Sequence, residues 1–151
     1  MATPMHVDTR AENSFIAVDE NLCVGCELCE LVCSMFHENE FKPDLSRIHI
    51  FRNPFEGTFA PKVCIQCPNP KCLSACKEKA ISIDKTTGAK VIIDEKCTGC
   101  GKCAAACPIN SESTVLKYHP LRKVYVKCDL CKGEPECTKW CPAGALHCLK
   151  R

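Results

Sequence analysis

No stretch of this 151-residue chain is apolar for long enough to cross a membrane. Met1 to Asn21 holds neither the apolar run of a signal peptide nor a twin arginine. The chain is therefore expected in the reducing cytoplasm, with no direct membrane insertion; export would need a partner that carries its own signal. Aromatic residues make up only 6% of the chain, and the hydrophobic fraction of 46% counts the cysteines. The remaining aliphatic content is thin for an independent core, so something besides side-chain burial must hold the fold. Charge of one sign is also missing: 20 Lys and Arg face 18 Asp and Glu, a net charge of +2 that gives no support to nucleic-acid binding. A glycine-rich phosphate loop and a nucleophile–base arrangement are absent too, so an enzyme with its own substrate site is not expected.

What the chain has is cysteine, 17 in all. Sixteen form four groups, each opening on CxxC and closing on CxxxC: Cys23, Cys26, Cys29, Cys33; Cys64, Cys67, Cys72, Cys76; Cys97, Cys100, Cys103, Cys107; and Cys128, Cys131, Cys137, Cys141. A disulfide framework would suit a small secreted chain, which the N-terminus argues against. Groups one and three have the CxxCxxCxxxC spacing of bacterial ferredoxins, whose cysteines hold [4Fe-4S] clusters. Three thiolates on a curled loop grip three corners of one cube. The next cysteine is expected to start a helix and ligate a neighbouring cluster. Zinc is the main competitor, but four-thiolate zinc sites use two separated CxxC pairs and would leave the third close cysteine idle. A zinc-stabilised binding module is the distant alternative.

An internal repeat suggests how the groups pair. Ile16-Ala-Val-Asp19-Glu-Asn-Leu-Cys23-Val-Gly25-Cys26 resembles Val91-Ile-Ile-Asp94-Glu-Lys-Cys97-Thr-Gly99-Cys100, each a short strand entering a cluster loop. Ala80-Ile-Ser-Ile83 after Cys76 matches Ala145-Leu-His-Cys148 after Cys141, each a strand leaving one. The turn Lys85-Thr-Thr-Gly88 joins the strand after group two to the strand before group three. By the same symmetry the strand before group one should pair with the strand after group four.

The expected fold is α+β: two ferredoxin-like modules of two [4Fe-4S] clusters each, the inner inserted within the outer, with short antiparallel hairpins and short helices. Residues 1–13 would form an N-terminal arm, residues 14–61 and 111–151 the outer module of groups one and four, and residues 62–110 the inner module of groups two and three. With crossed fourth cysteines the expected ligand sets are Cys23, Cys26, Cys29 and Cys141; Cys64, Cys67, Cys72 and Cys107; Cys97, Cys100, Cys103 and Cys76; and Cys128, Cys131, Cys137 and Cys33. Sequential pairing, one with two and three with four, is the alternative. No catalytic residue and no cofactor beyond the four clusters is expected.

Further hairpins are expected around Arg47–Phe51 and Thr58–Ala60, and around Val115–Tyr118 and Val124–Val126. Cys148, aligned with Ile83, should pack as a small buried apolar group. Trp140, between Cys137 and Cys141, should shield a cluster from water or pack in the core. His37, His49, His119 and His147 meet no ligand vacancy and are expected to be exposed or packed. Lys117, Lys123, Lys127, Lys132, Lys139 and Lys150 read as a solvated face, or else as a docking surface for an acidic redox partner.

The cysteine groups, with Cys64-Ile-Gln-Cys67-Pro-Asn-Pro-Lys-Cys72, Cys97-Thr-Gly-Cys100-Gly-Lys-Cys103 and Lys127-Cys128-Asp-Leu-Cys131, resemble the four-cluster ferredoxin-type electron-transfer subunits. These include the iron–sulfur subunits of dimethyl sulfoxide reductase-type molybdoenzymes and of formate hydrogenlyase. The resemblance covers about residues 15 to 149 and implies the same pairing, first group with fourth and second with third. Proline follows the fourth cysteine only in groups three and four, with Ser34 and Lys77 in the others, and the chain is short for a molybdoenzyme subunit.

Glu20 to Cys33 and Phe41 to Ile48 look more like the small ferredoxin subunits of tungsten-containing aldehyde oxidoreductases, with benzoyl-CoA reductase subunits similar. The resemblance implies a polyferredoxin that relays single electrons and is not itself an enzyme. One partner would be a large tungsten- or molybdenum-pterin catalytic subunit, and the other a second redox protein such as a flavoprotein or ferredoxin. A molybdopterin oxidoreductase, benzoyl-CoA reductase or hydrogenase complex is the alternative setting. Cluster sites near the surface would also permit higher-order assembly with copies of the chain itself.

Overall fold

A computed structural model describes residues 13–151; the first twelve positions of the expected N-terminal arm lie outside the described residues. Among the described residues, eight short strands form four two-stranded antiparallel ladders. Ladder β1–β8 pairs Ser14–Val18 with Leu146–Lys150, in register from Ser14 opposite Lys150 to Val18 opposite Leu146. Ladder β2–β3 pairs Ile48–Asn53 with Thr58–Val63, β4–β5 pairs Ile81–Ile83 with Lys90–Ile92, and β6–β7 pairs Lys117–His119 with Val124–Val126. The two ladders expected from the repeat, β1–β8 and β4–β5, are both present, and so are the two expected hairpins.

Each ladder is too short to bury an independent sheet face. The turn of β4–β5 is held locally, where the Asp84 carboxylate accepts hydrogen bonds from the backbone N–H of Thr86 and Thr87 and from the Thr87 hydroxyl, at 2.8–3.0 Å. Those bonds to the charged form hold the Asp84 carboxyl below its usual range.

The helices are α1 (Leu28–Glu38), α2 (Lys71–Ala75), α3 (Lys102–Ala106) and α4 (Glu136–Lys139). They pack in pairs, α1 on α4 and α2 on α3. One expectation is corrected here. The third cysteine of each group, not the fourth, sits in the first turn of its helix. Cys76 and Cys107 cap the C-termini of α2 and α3 in extended conformation. A five-residue helix is a little over one turn, so it ends where the next residue can leave the helical path and face away.

The main core combines Ile16, Ile48, Ile50, Val63, Ala89, Val115, Leu130 and Leu146 with Cys29, Cys33, Cys64, Cys128 and Cys137. A smaller cluster joins Cys72 and Cys103 to Ile81 and Leu116. Cys148 is exposed, against expectation, and so is Ile83, its counterpart in the repeat. Both strands run past their cluster loops, and in a two-stranded ladder no third layer covers the outer residues. Trp140 is also exposed, at 58%, and donates its indole N–H to Glu136 at 3.2 Å. It therefore lies outside the core, and it lines none of the three cysteine cavities described below.

Candidate metal centres

All 17 cysteines are free thiols. Three apolar cavities are each bounded by four of them. The first, called here site I, is lined by Cys23, Cys26, Cys29 and Cys141, with Ile50, Pro61, Pro142 and Leu146. Site II is lined by Cys64, Cys67, Cys72 and Cys107, with Pro70, Pro108, Ile109 and Leu116. Site III is lined by Cys76, Cys97, Cys100 and Cys103, with Ile81, Ile92 and Tyr125. Each set takes three thiols from one group and the fourth from another. The remaining four, Cys33, Cys128, Cys131 and Cys137, are all buried and close enough to bear on one another electrostatically; they are called site IV.

The four sets form a row. Cys103 of site III neighbours Cys72 of site II, Cys64 of site II neighbours Cys128 of site IV, and Cys137 of site IV neighbours Cys29 of site I. The order is III, II, IV, I. The sets at the two ends include an exposed cysteine, Cys100 and Cys26 respectively.

The loops hold this arrangement through conformations that the residue types allow. Gly25 and Gly99 occupy equivalent CxGC positions with φ of +67° and +68°, in the left-handed region that glycine enters freely. A side chain at Gly25 would run into the Phe59 ring, and one at Gly99 would meet the Lys123 carbonyl oxygen at 2.5 Å. Three of the cysteines that close their groups each accept one backbone N–H at 3.3 Å: Cys33 from Arg47, Cys76 from Ala80 and Cys141 from Ala145.

Burial pushes the Cys29 and Cys131 thiols up to about 12 and the Cys103 thiol to about 11. Cys128 and Cys137 are raised further by the same cause, and the charges of the neighbouring thiols add to it. Metal-free, these groups are neutral and apolar. Iron must displace their protons, so loading a site and releasing protons are one process. Four converging thiols in an apolar cradle suit a soft metal centre, and such a set without histidine or carboxylate fits a cubane iron–sulfur cluster.

Cys33 departs from the trend. Burial would raise it, but contacts with His37 and the Arg47 N–H outweigh burial and lower it. His37 Nδ1 lies 3.7 Å from Cys33 Sγ, while its Nε2 lies 2.9 Å from Asp129, which also accepts from Arg47 at 3.0 Å. Burial would lower His37, yet the hydrogen bonds to Asp129 and Cys33 dominate and raise it to about 9. Sequence reasoning treated His37 only as a non-ligand and passed over this clamp; its one signal was His37 standing one helical turn beyond Cys33.

The other histidines are His119, buried with Glu38 at 3.2 Å, His49, paired with the buried Glu30 at 2.9 Å, and the exposed His147. The lysine expectation is corrected at Lys127. It is 2% exposed, so it stands inside the molecule rather than on a solvated face. Gln66, wholly buried between Cys64 and Cys67, was also missed.

A chain that gathers thiols in fours along a row of loops has the build of a ferredoxin-type iron–sulfur protein. Its sequence matches the model of the 4Fe-4S dicluster domain over residues 55–151, and that of a 4Fe-4S binding domain over residues 20–35. It is 40% identical, over 92% of its own length and 78% of the relative's, to the polyferredoxin-like subunit of aliphatic sulfonate oxidoreductase from Pyrococcus furiosus. Identity to electron transport protein HydN of Escherichia coli is 34% over 92% of this chain and 89% of that one. Among solved structures it resembles a chain of the BamBC active-site complex of benzoyl coenzyme A reductase, with a TM-score of 0.53 and 26% identity over 91% of this chain and 80% of that one. The chain belongs to the 4Fe-4S dicluster-domain family, as an electron-transfer iron–sulfur subunit of the kind found in oxidoreductase complexes. No helix among the described residues is long and apolar enough to cross a membrane.

Proposed function

We propose that this chain is a non-catalytic polyferredoxin that carries single electrons through four [4Fe-4S] clusters between a large catalytic oxidoreductase subunit and a second redox protein in the cytoplasm. The observation that carries the reading is that three separate cavities are each bounded by four thiols, three from one group and one from another. Cys23, Cys26, Cys29 and Cys141 hold one cluster, and Cys64, Cys67, Cys72 and Cys107 a second. Cys97, Cys100, Cys103 and Cys76 hold a third, and Cys128, Cys131, Cys137 and Cys33 a fourth. The groups then belong to two nested modules, residues 62–110 within residues 14–61 and 111–151; the β1–β8 ladder and the two helix pairs support that division.

When bound, each cluster supplies one site for one electron. The protein supplies the rest. Buried thiols and apolar walls exclude water from the middle of the row, and backbone N–H groups on Cys33, Cys76 and Cys141 tune the sulfurs they touch. The exposed Cys26 and Cys100 make sites I and III the points of entry and exit. The catalytic partner is of the tungsten-pterin kind, as in aldehyde oxidoreductases. A second reading, favoured by the likeness to the aliphatic sulfonate oxidoreductase subunit of Pyrococcus furiosus, is a partner acting on an aliphatic sulfonate. The other partner is a flavoprotein or ferredoxin, and exposed end sites also permit relay between copies of this chain.

Anaerobically purified protein should contain iron and acid-labile sulfide equivalent to four clusters. Stoichiometric zinc without sulfide would end the reading. Cys141→Ala should perturb the cluster of Cys23, Cys26 and Cys29; damage confined to the third group would refute the crossed ligation.

A further inference from the structure

Two buried lysines border one thiol cavity, and among the described residues neither has a carboxylate partner. Lys127 is 2% exposed and Lys90 is 3% exposed. The Lys127 ammonium donates to the Lys90 carbonyl, to the Cys128 carbonyl at 3.1 Å and to the Gln66 side-chain oxygen at 3.4 Å. The Lys90 ammonium donates to the Asn13 side-chain oxygen at 2.7 Å and to the Gln66 carbonyl at 3.3 Å. Among the described residues, no Asp or Glu forms an ion pair with either. Gln66 fixes the pair in place. Its Oε1 accepts the Lys90 backbone N–H at 2.8 Å, and its Nε2 donates to the Cys128 carbonyl at 2.8 Å.

A buried ammonium satisfied only by neutral oxygens still lacks a counter-charge, and an isolated buried charge is strongly unfavourable. A cavity that both lysines line offers a place for it. The site II cavity is lined by both buried lysines and the exposed Lys71, together with Cys64, Cys67, Cys72 and Cys107, and its lining contains no carboxylate. The site III lining balances Lys102 with Glu78, and the site I lining has only Glu27. Lys127 acts electrostatically on Cys72 of site II and on Cys128 of the adjoining site IV, and Lys90 acts on Cys64 and Cys67 of site II. Iron bound by four thiolates is an anionic centre, and reduction adds one more negative charge. Net charge around a cluster is among the factors that set its potential.

We propose that Lys90 and Lys127 are positioning residues that supply the built-in counter-charge of the site II cluster, favouring its reduced form and making it the electron sink of the row. This rests on the four-cluster reading above. It gives the two lysines a shared role that their places in sequence, ahead of two different cysteine groups, do not suggest.

The test is an anaerobic redox titration of the full chain followed by electron paramagnetic resonance, after iron and sulfide have been counted. Lys127→Met and Lys90→Met should each move the same reduction step to lower potential, while Lys127→Arg keeps it near the wild-type position. Cys67→Ser assigns that step to site II by altering the same signal, and Lys85→Met, at an exposed turn position, should move nothing. Unmoved steps in both methionine variants with full iron content, or a shift spread equally over all four steps, would overturn the proposal. If the methionine variants lose iron, retention in Lys127→Arg supports the counter-charge, and equal loss there overturns it. A wild-type chain without four clusters' worth of iron and sulfide sinks the relay reading itself, which keeps the two failures apart.

Discussion

Gly25 and Gly99 stand at the same place in two copies of one loop, yet they should not be equally sensitive to substitution. Alanine at either position must adopt a left-handed backbone, at a cost of about 1–2 kcal/mol. At Gly25 the obstacle is the Phe59 ring, a half-buried side chain that can turn; at Gly99 it is the Lys123 carbonyl, which is fixed in the backbone. Gly25→Ala should therefore lose stability near that figure, and Gly99→Ala distinctly more, with iron released first from site III. Thermal unfolding with iron counting checks the order, and equal effects would refute the backbone argument. Residues whose role is covalent or conformational, the sixteen cysteines and these glycines, announce themselves through spacing. Lys127, Gln66 and His37 do not, because a lone lysine or histidine has the same appearance in sequence whether it meets water or a buried thiol. Cys148 misled for a related reason: strand periodicity gives the face of a residue but not whether anything covers that face.

At the scale of elements, the β1–β8 ladder joins the ends of the described chain and contributes to site I. Leu146 is 3% exposed, pairs across from Val18, and lines the cavity of Cys23, Cys26, Cys29 and Cys141. Leu146→Ala should cost about 2–5 kcal/mol, the usual range for truncating a buried leucine. It should also loosen the site I cluster while leaving that of site III, on ladder β4–β5, unchanged. Oxygen or chelator challenge with site-resolved spectroscopy measures this, and equal loss at both ends would show that the ladders are not separate supports. A gentler test lies in the β4–β5 turn. Asp84→Ala removes three hydrogen bonds from a turn side chain, two of them partly buried, each worth about 1 kcal/mol, so a loss of about 1–3 kcal/mol is expected in thermal unfolding. These ladders were legible because the repeated strand-and-loop units carry their own symmetry. The helix boundaries were not, since where a helix of about one turn ends depends on its capping contacts rather than on any sequence period.

For the whole molecule, the decisive fact is what fills the interior. Of the 23 buried hydrophobic residues among those described, eight are cysteines, and none is aromatic. Four of those thiols, Cys29, Cys64, Cys72 and Cys103, line the cavities of sites I to III, and burial keeps several of the eight protonated in the metal-free chain. Paired strands of three to six residues cannot close a core alone. The free energy of cluster binding should then be largely the free energy of folding, as in small zinc domains. Removing iron anaerobically should abolish amide-exchange protection throughout the four ladders at 25 °C, not only next to the emptied sites. Protection should return when iron and sulfide are supplied together. Zinc should not restore it, because a single ion drawn to four thiolates cannot fill the space of a cube or keep the crossed cysteines apart. A metal-free chain that kept its protection, or one fully rescued by zinc, would mean that the apolar side chains suffice and that the clusters are passengers in a fold that stands without them. The thin aliphatic content, the short ladders and the thiol-lined interior all argue for the opposite outcome, in which the electron path and the core are the same structure.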